Sequence, residues 1–131
     1  MPESGAGARA AVVTGGATGV GAATALELAA RGYRIAINYS RSKAEAEATI
    51  AECKRAGADA IAVQGDVADD AACRAAVAKT VARFGRVDVL VNSAGTTQFV
   101  PLSDLDKQNA EDFQKVYAVN VIGPYQMARA I

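Results

Sequence analysis

The octapeptide from Thr14 to Gly21, Thr-Gly-Gly-Ala-Thr-Gly-Val-Gly, narrows this chain to few architectures. It follows Ala10-Ala11-Val12-Val13, an apolar run with the length of a buried strand. It precedes Ala22 to Ala30, a stretch built mostly from strong helix formers. Strand, glycine turn and helix in that order make the first half of a βαβ unit, with an anion cradle at the helix N-terminus. Gly15, Gly19 and Gly21 are spaced G-x-x-x-G-x-G, wider than the common G-x-G-x-x-G fingerprint. No Lys-Ser or Lys-Thr comes after it, which argues against a nucleoside-triphosphate P-loop. The turn keeps its physical logic at this spacing. Gly15 lets the chain leave the strand sharply, Gly19 lets backbone approach a phosphate, and Gly21 lets the helix pack against the sheet. A turn that merely connects strand to helix is the plainer alternative.

The rest of the chain repeats the unit. Arg34 to Tyr39 reads as a second strand, Ala60 to Gln64 as a third, and Val87 to Val91, ending at Asn92, as a fourth. Between them, Ser42-Lys43-Ala44-Glu45 has the spacing of a capping box that opens a helix to Ala56, and Asp69 or Asp70 opens another that stops at Gly85. Gly32, Gly57 and Gly85 fit the left-handed residue that ends a helix. Strands alternating with helices predict an α/β fold with a parallel sheet, a Rossmann-type half with strand order 3-2-1-4 in three α/β/α layers. Thr14, Tyr39, Asp66 and Asn92 then share the C-terminal edge, where ligands bind in such sheets. Residues 1–8 read as a flexible leader and 9–131 as one domain.

Residues 96–109 form a polar loop with Pro101, and Asn109 can cap the last helix with Glu111 and Asp112 in its first turn. Helical spacing puts Phe113, Val116, Tyr117, Asn120, Pro124, Met127 and Ile131 on one face, with Val119, Val121, Ile122 and Tyr125 on others. Pro124 has no N–H for the carbonyl of Asn120, so the helix should bend there.

Composition excludes several function classes. The 131 residues carry 14 basic and 14 acidic side chains with no long run of one sign, so a basic nucleic-acid surface is unsupported. Met1 to Gly5 lacks the basic start and apolar core of a signal peptide, and no apolar run approaches the ~18 residues of a membrane span. Cys53 and Cys73 lie inside helical patterns and read as small apolar fillers of a reducing compartment rather than a disulfide or metal pair. Histidine is absent, which removes His-dependent triads and leaves Tyr, Lys, Asp, Glu or Cys for proton transfer.

Four segments together, Thr14 to Gly21, Asp66-Val67, Asn92-Ser93-Ala94-Gly95 and Asn120-Val121-Ile122-Gly123, resemble the short-chain dehydrogenase/reductases, in that family's order and spacing. The likeness covers the chain after residue 8 and is nearest to 3-oxoacyl-acyl-carrier-protein reductases. It implies a cytoplasmic NAD(P)-dependent oxidoreductase that exchanges hydride with a small carbonyl or alcohol substrate. It implies that Thr14, Gly15, Thr18, Gly19, Val20 and Gly21 hold the pyrophosphate, and that Asp66 and Val67 contact the adenine. Asn92, Ser93, Ala94 and Gly95 would line the adenosine side, Ser93 standing where the family usually has a second Asn. Asn120 would hold a water that links the active-site Lys to solvent, and a homo-oligomer would form through the last helix.

The chain ends before the strand that carries the family's catalytic Ser and the helix that carries its Tyr-x-x-x-Lys. The 131 residues are therefore expected to be the cofactor-binding part, inactive alone. A Tyr-x-x-x-Lys does occur at Tyr39 and Lys43, but it joins a strand end to a helix start on the adenosine side and is not catalytic. An NAD site places a carboxylate about 20 residues past the glycine turn. Here Asn38 comes first, then Ser40 and Arg41, donors suited to a 2′-phosphate, so NADP(H) is favoured over NAD(H). The alternative is a non-catalytic protein that keeps the nucleotide site. A methyltransferase on a similar sheet would want an acid after the second strand, and Asn38-Tyr39-Ser40-Arg41 offers none.

Overall fold

The protein was analysed as a computed structural model, which describes residues 7–131. Residues 1–6 of the expected leader lie outside the described residues, and Ala8, read as part of it, is already buried. Four strands, β1 (Ala10–Thr14), β2 (Arg34–Tyr39), β3 (Ala60–Gln64) and β4 (Val89–Asn92), form one sheet in the order β3-β2-β1-β4. All three pairings are parallel. Helices α1 (Gly19–Ala30), α2 (Lys43–Arg55) and α3 (Asp70–Phe84) supply the crossovers. After β4 the chain runs through a loop with one 3-10 turn (Leu105–Lys107) into α4 (Ala110–Tyr117), a π-helical segment (Ala118–Ile122) and α5 (Gly123–Ala130).

Strand alternation sorts the core onto the two faces of the sheet. Ala11 and Val13 of β1 and Ile35 and Ile37 of β2 pack with Ala25 and Ala29 of α1 and Ala46, Ile50 and Cys53 of α2. Ala10, Val12 and Ala36 face the other way, onto Cys73, Val77 and Phe84 of α3 and Met127 of α5. The three α/β/α layers expected from the sequence arise from this alternation. Gly32, Gly57 and Gly85 all have positive φ, between 79° and 95°, as helix-ending glycines should.

Three expectations change. Ser42 stands at the N-cap of α2 with Glu45 in the first turn, yet its side chain makes no cap bond. Its ψ of 62° departs from the extended geometry that capping uses. The capping box forms instead at α4, where Asn109 and Asp112 each accept from the other's backbone N–H. Strand β4 starts at Val89 rather than Val87, because the Asp88 carboxylate takes the N–H of Ala10 at 2.8 Å where a strand carbonyl would otherwise serve.

The third change concerns the last helix. It is interrupted where Pro124 withholds its N–H, and Gly123 N–H donates five residues back to the Ala118 carbonyl. A π turn adds a residue and rotates the remainder of the helix by about 100° relative to a straight one. The expected single face therefore splits. Phe113 and Tyr117 on α4 are exposed, and the buried stripe of α5 is Gly123, Gln126 and Met127. Val119 is partly buried against Met127 and its neighbours, while Val121, Ile122 and Tyr125 are exposed.

Candidate dinucleotide cleft

The C-terminal edge of the sheet opens into a cleft of about 690 Å³. Its floor is the glycine turn. Gly15 takes φ 61°, and a Cβ there would lie 2.8 Å from the Cα of Ala94. The turn after β1 and the turn after β4 thus touch, and only hydrogen fits between them. Gly19 has φ 56° with nothing within 4 Å of a Cβ, so its requirement is backbone conformation, with open space in front of it. Gly21 would place a Cβ 2.1 Å from the carbonyl oxygen of Gly15. It packs against the turn, a correction to its expected contact with the sheet. That contact belongs to Gly16, whose Cβ would sit 2.7 Å from Ile37 of β2.

The N-terminus of α1 differs from the two other helices that start at this edge. Glu45 stands in the first turn of α2, and Asp70 in that of α3, where Asp69 also caps by accepting from Ala71 N–H. Helix α1 has no acid in its first turn, and Thr18 at its N-cap makes no side-chain cap bond. N–H groups that no side chain caps, and the positive end of the helix dipole, are left for an external anion.

Of the residues singled out from sequence, Gly15, Thr18, Val20, Gly21, Ser40, Arg41, Asp66, Val67, Ser93, Ala94 and Gly95 line the cleft. Thr14, Gly19, Asn92 and Asn120 are not among its lining residues. Thr14 is buried and acts as a strut: its Oγ1 accepts from the N–H groups of Ser93 and Ala94, each at 3.1 Å. Asn92 ends β4 opposite Thr14, exposed on an edge strand. One oxygen of Asp66 accepts from Ala68 N–H at 2.9 Å, a turn contact, on an exposed residue. Val67 is buried, and a Cβ on Gly123 would come within 2.6 Å of its Cγ2, so α5 closes directly onto it.

At the end of β2, Asn38 is buried and donates to the carbonyls of Val63 and Gly65, at 3.3 and 3.0 Å. It ties β2 to the turn after β3, so its amide is engaged by protein. Beyond it no carboxylate stands before Lys43, and the exposed Arg41 forms no ion pair among the described residues. In the Tyr-x-x-x-Lys decoy, Tyr39 ends β2 buried in the core, while Lys43 starts α2 exposed, 4.0 Å from Glu47. Asn120 holds the loop after β4, with its Oδ1 on Thr96 N–H and its Nδ2 on the Thr96 carbonyl.

Sequence reasoning missed two residues. Lys115 of α4 also lines the cleft. Nothing in the sequence around it signals that role: a Lys four residues after Glu111 has the spacing of an ordinary surface pair. Thr49 of α2 donates to the Ala17 carbonyl from 32 positions away, a contact that no local pattern reveals. Cys53 and Cys73 are free and buried, and burial raises both thiol pKa values, as inert fillers require. Among the described residues no cluster of three or more His, Cys, Asp or Glu could hold a metal, and no helix is long and apolar enough to cross a membrane.

A parallel 3-2-1-4 sheet with a glycine turn feeding an uncapped helix defines a Rossmann-type α/β domain. The chain belongs to the short-chain dehydrogenase family, whose model matches residues 9–131. It is 45% identical over 96 residues to the short-chain dehydrogenase/reductase homolog YusS of Bacillus subtilis, covering 73% of this chain and 88% of that one. It is 42% identical over 104 residues to the 3-oxoacyl-acyl-carrier-protein reductase FabG of Staphylococcus aureus, covering 79% of this chain and 42% of that protein. A solved short chain dehydrogenase from Burkholderia cenocepacia in complex with NADP superposes with a TM-score of 0.86 at 39% identity, over 93% of this chain and 49% of that one. The chain thus spans about half the length of most of these relatives, and nearly all of YusS.

Proposed function

We propose that this chain is the cofactor-binding part of an oxidoreductase that interconverts carbonyl and alcohol groups with NADP(H) in preference to NAD(H). One observation carries the reading: the acid-free, uncapped N-terminus of α1 shares its cleft with Ser40 and Arg41, and no carboxylate stands at the end of β2. The N–H groups at Thr18 to Gly21 would hold the pyrophosphate, as the open space at Gly19 allows. Arg41 and Ser40 supply charge-assisted and hydroxyl bonds to a 2′-phosphate, which a carboxylate there would repel. Asp66 and Val67 flank the adenine, and Ser93, Ala94 and Gly95 form the opposite wall. Thr14 and Asn92 act from behind that wall. The dinucleotide, when bound, supplies the hydride.

Asn120 spends its side chain on Thr96, so a relay water would be held by its backbone carbonyl. Tyr117 has Val121 four residues on, where a Lys cation would be needed to activate a tyrosine acid. The 131 residues alone therefore bind cofactor without reducing a ketone. The exposed Tyr117, Val121, Ile122 and Tyr125 form the surface through which copies associate. The protein works in the cytoplasm. A non-catalytic nucleotide-binding role is the second reading.

Titration of residues 1–131 with NADP⁺ and NAD⁺ tests the cofactor assignment. Wild type should bind NADP⁺ more tightly, and Arg41→Ala should weaken NADP⁺ by roughly 10- to 100-fold, the worth of a charge-assisted bond, while leaving NAD⁺ nearly unchanged. Equal affinities in the wild type would refute the preference. Ketone-dependent NADPH oxidation by the same chain would refute its assignment as a binding part only.

A further inference from the structure

Three helical threonines of this chain use their hydroxyls in two ways. Thr24 in α1 donates to Val20 at 2.7 Å and Thr80 in α3 donates to Ala76 at 2.8 Å. Both bond the carbonyl four residues back, the usual habit of a helical Thr. Thr49 in α2 passes over that local acceptor, the carbonyl of Glu45. It donates instead to Ala17 at 3.0 Å, in a buried contact with the glycine turn.

We infer that Thr49 is a positioning residue for the phosphate-binding turn, an inference that rests on reading the cleft as a dinucleotide site. The Ala17 carbonyl and the Thr18 N–H belong to one planar trans peptide and point in opposite directions. Holding the carbonyl toward α2 therefore holds the Thr18 N–H away from α2. It also keeps a carbonyl oxygen, which would repel an anion, from rotating into the cleft. Neighbouring contacts set the frame. Gly16 N–H donates to the Asn38 carbonyl at 3.2 Å, and Gly15 abuts Ala94. Thr18, Gly19 and Val20 are exposed residues. Thr49 thus grips the last buried peptide before the segment that meets the anion.

Two variants of the 131-residue chain decide the matter. Thr49→Val keeps the shape and removes the donor, and Thr49→Ser keeps the donor. NMR amide shifts and order parameters of Ala17 to Val20 are measured without ligand, and dissociation constants are measured for ADP and for adenosine. In Thr49→Val the four amides should shift and lose order, ADP should bind roughly 5- to 10-fold more weakly, and adenosine should bind as before. Thr49→Ser should match wild type in all three. Wild-type amides and ADP affinity in Thr49→Val would overturn the inference, as would a parallel loss of ADP and adenosine affinity with disorder across the whole chain. If wild type binds no ADP, the dinucleotide reading itself fails, while the amides of Ala17 to Val20 still decide whether Thr49 holds the turn.

Discussion

Asn120 grips the backbone of Thr96 at two points: its Oδ1 accepts the Thr96 N–H at 2.8 Å and its Nδ2 donates to the Thr96 carbonyl at 2.9 Å. A primary amide used this way imitates a neighbouring strand, and it ties the loop after β4 to the π segment. The same oxygen lies 3.6 Å from where a Cβ on Gly95 would be, so the wall of the cleft is packed against it. Asn120→Ala should lower unfolding free energy by about 1 kcal/mol, the low side for two bonds because the residue is exposed. Asn120→Asp should cost at least as much, since it loses the donor and sets a carboxylate beside a carbonyl. Urea unfolding reads both, and an unchanged midpoint in Asn120→Ala would show that the grip contributes nothing.

Lys115 has Glu111 four residues before it, a spacing that forms an ion pair elsewhere in this chain between Arg31 and Glu27 and between Arg74 and Asp70. Lys115 forms no ion pair among the described residues and lines the cleft instead. It belongs to α4, which follows β4, whereas Arg41 follows β2, two strands across the sheet. Lys115→Gln should therefore weaken NAD⁺ and NADP⁺ by the same factor, about 2- to 5-fold, with the difference fading at high salt. An effect confined to NADP⁺ would show that Lys115 serves the 2′-phosphate.

Gly21 and Gly19 should lose very different amounts of stability to a methyl group. Gly21→Ala drives a Cβ into the Gly15 carbonyl, and neither backbone can yield without moving the turn, so about 3 kcal/mol or more should be lost. Gly19→Ala meets open space and costs only the left-handed conformation, about 1 kcal/mol. Chemical denaturation of the two variants ranks them, and a reversed order would contradict the geometry described for the turn.

The Arg86 guanidinium and then the Ala10 N–H hold the Asp88 carboxyl below the ordinary carboxylate range. A lowered folded-state pKa stabilises the fold fully above the unfolded pKa of about 4, and that contribution drains away as pH falls through the folded value. Asp88→Asn should lower Tm most near neutral pH, and the gap to wild type should narrow as pH drops below about 4. A gap that stays constant down to pH ~2 would mean the carboxylate's charge does not support the β1–β4 edge.

Strand β2 at Arg34–Tyr39 and strand β3 at Ala60–Gln64 were legible in the sequence to the residue, because apolar runs bounded by helix-ending glycines leave little freedom. The parallel 3-2-1-4 order came from chain connectivity and crossover handedness alone. The glycine turn and the residues that meet it across the sheet edge were legible for the same reason: strand direction places them there. What sequence could not supply were contacts between elements. That Gly16 rather than Gly21 abuts the sheet, that Thr49 reaches Ala17 and that Asn38 is a strut depend on distances between segments that spacing does not encode. The last helix shows the limit most plainly. Pro124 announced an interruption, but the form it took, a π turn that turns Met127 inward and leaves Tyr117 exposed, was decided by how α5 packs onto Val67 and α3. Local propensity fixes where an element starts and stops, and tertiary packing chooses which of its faces is buried.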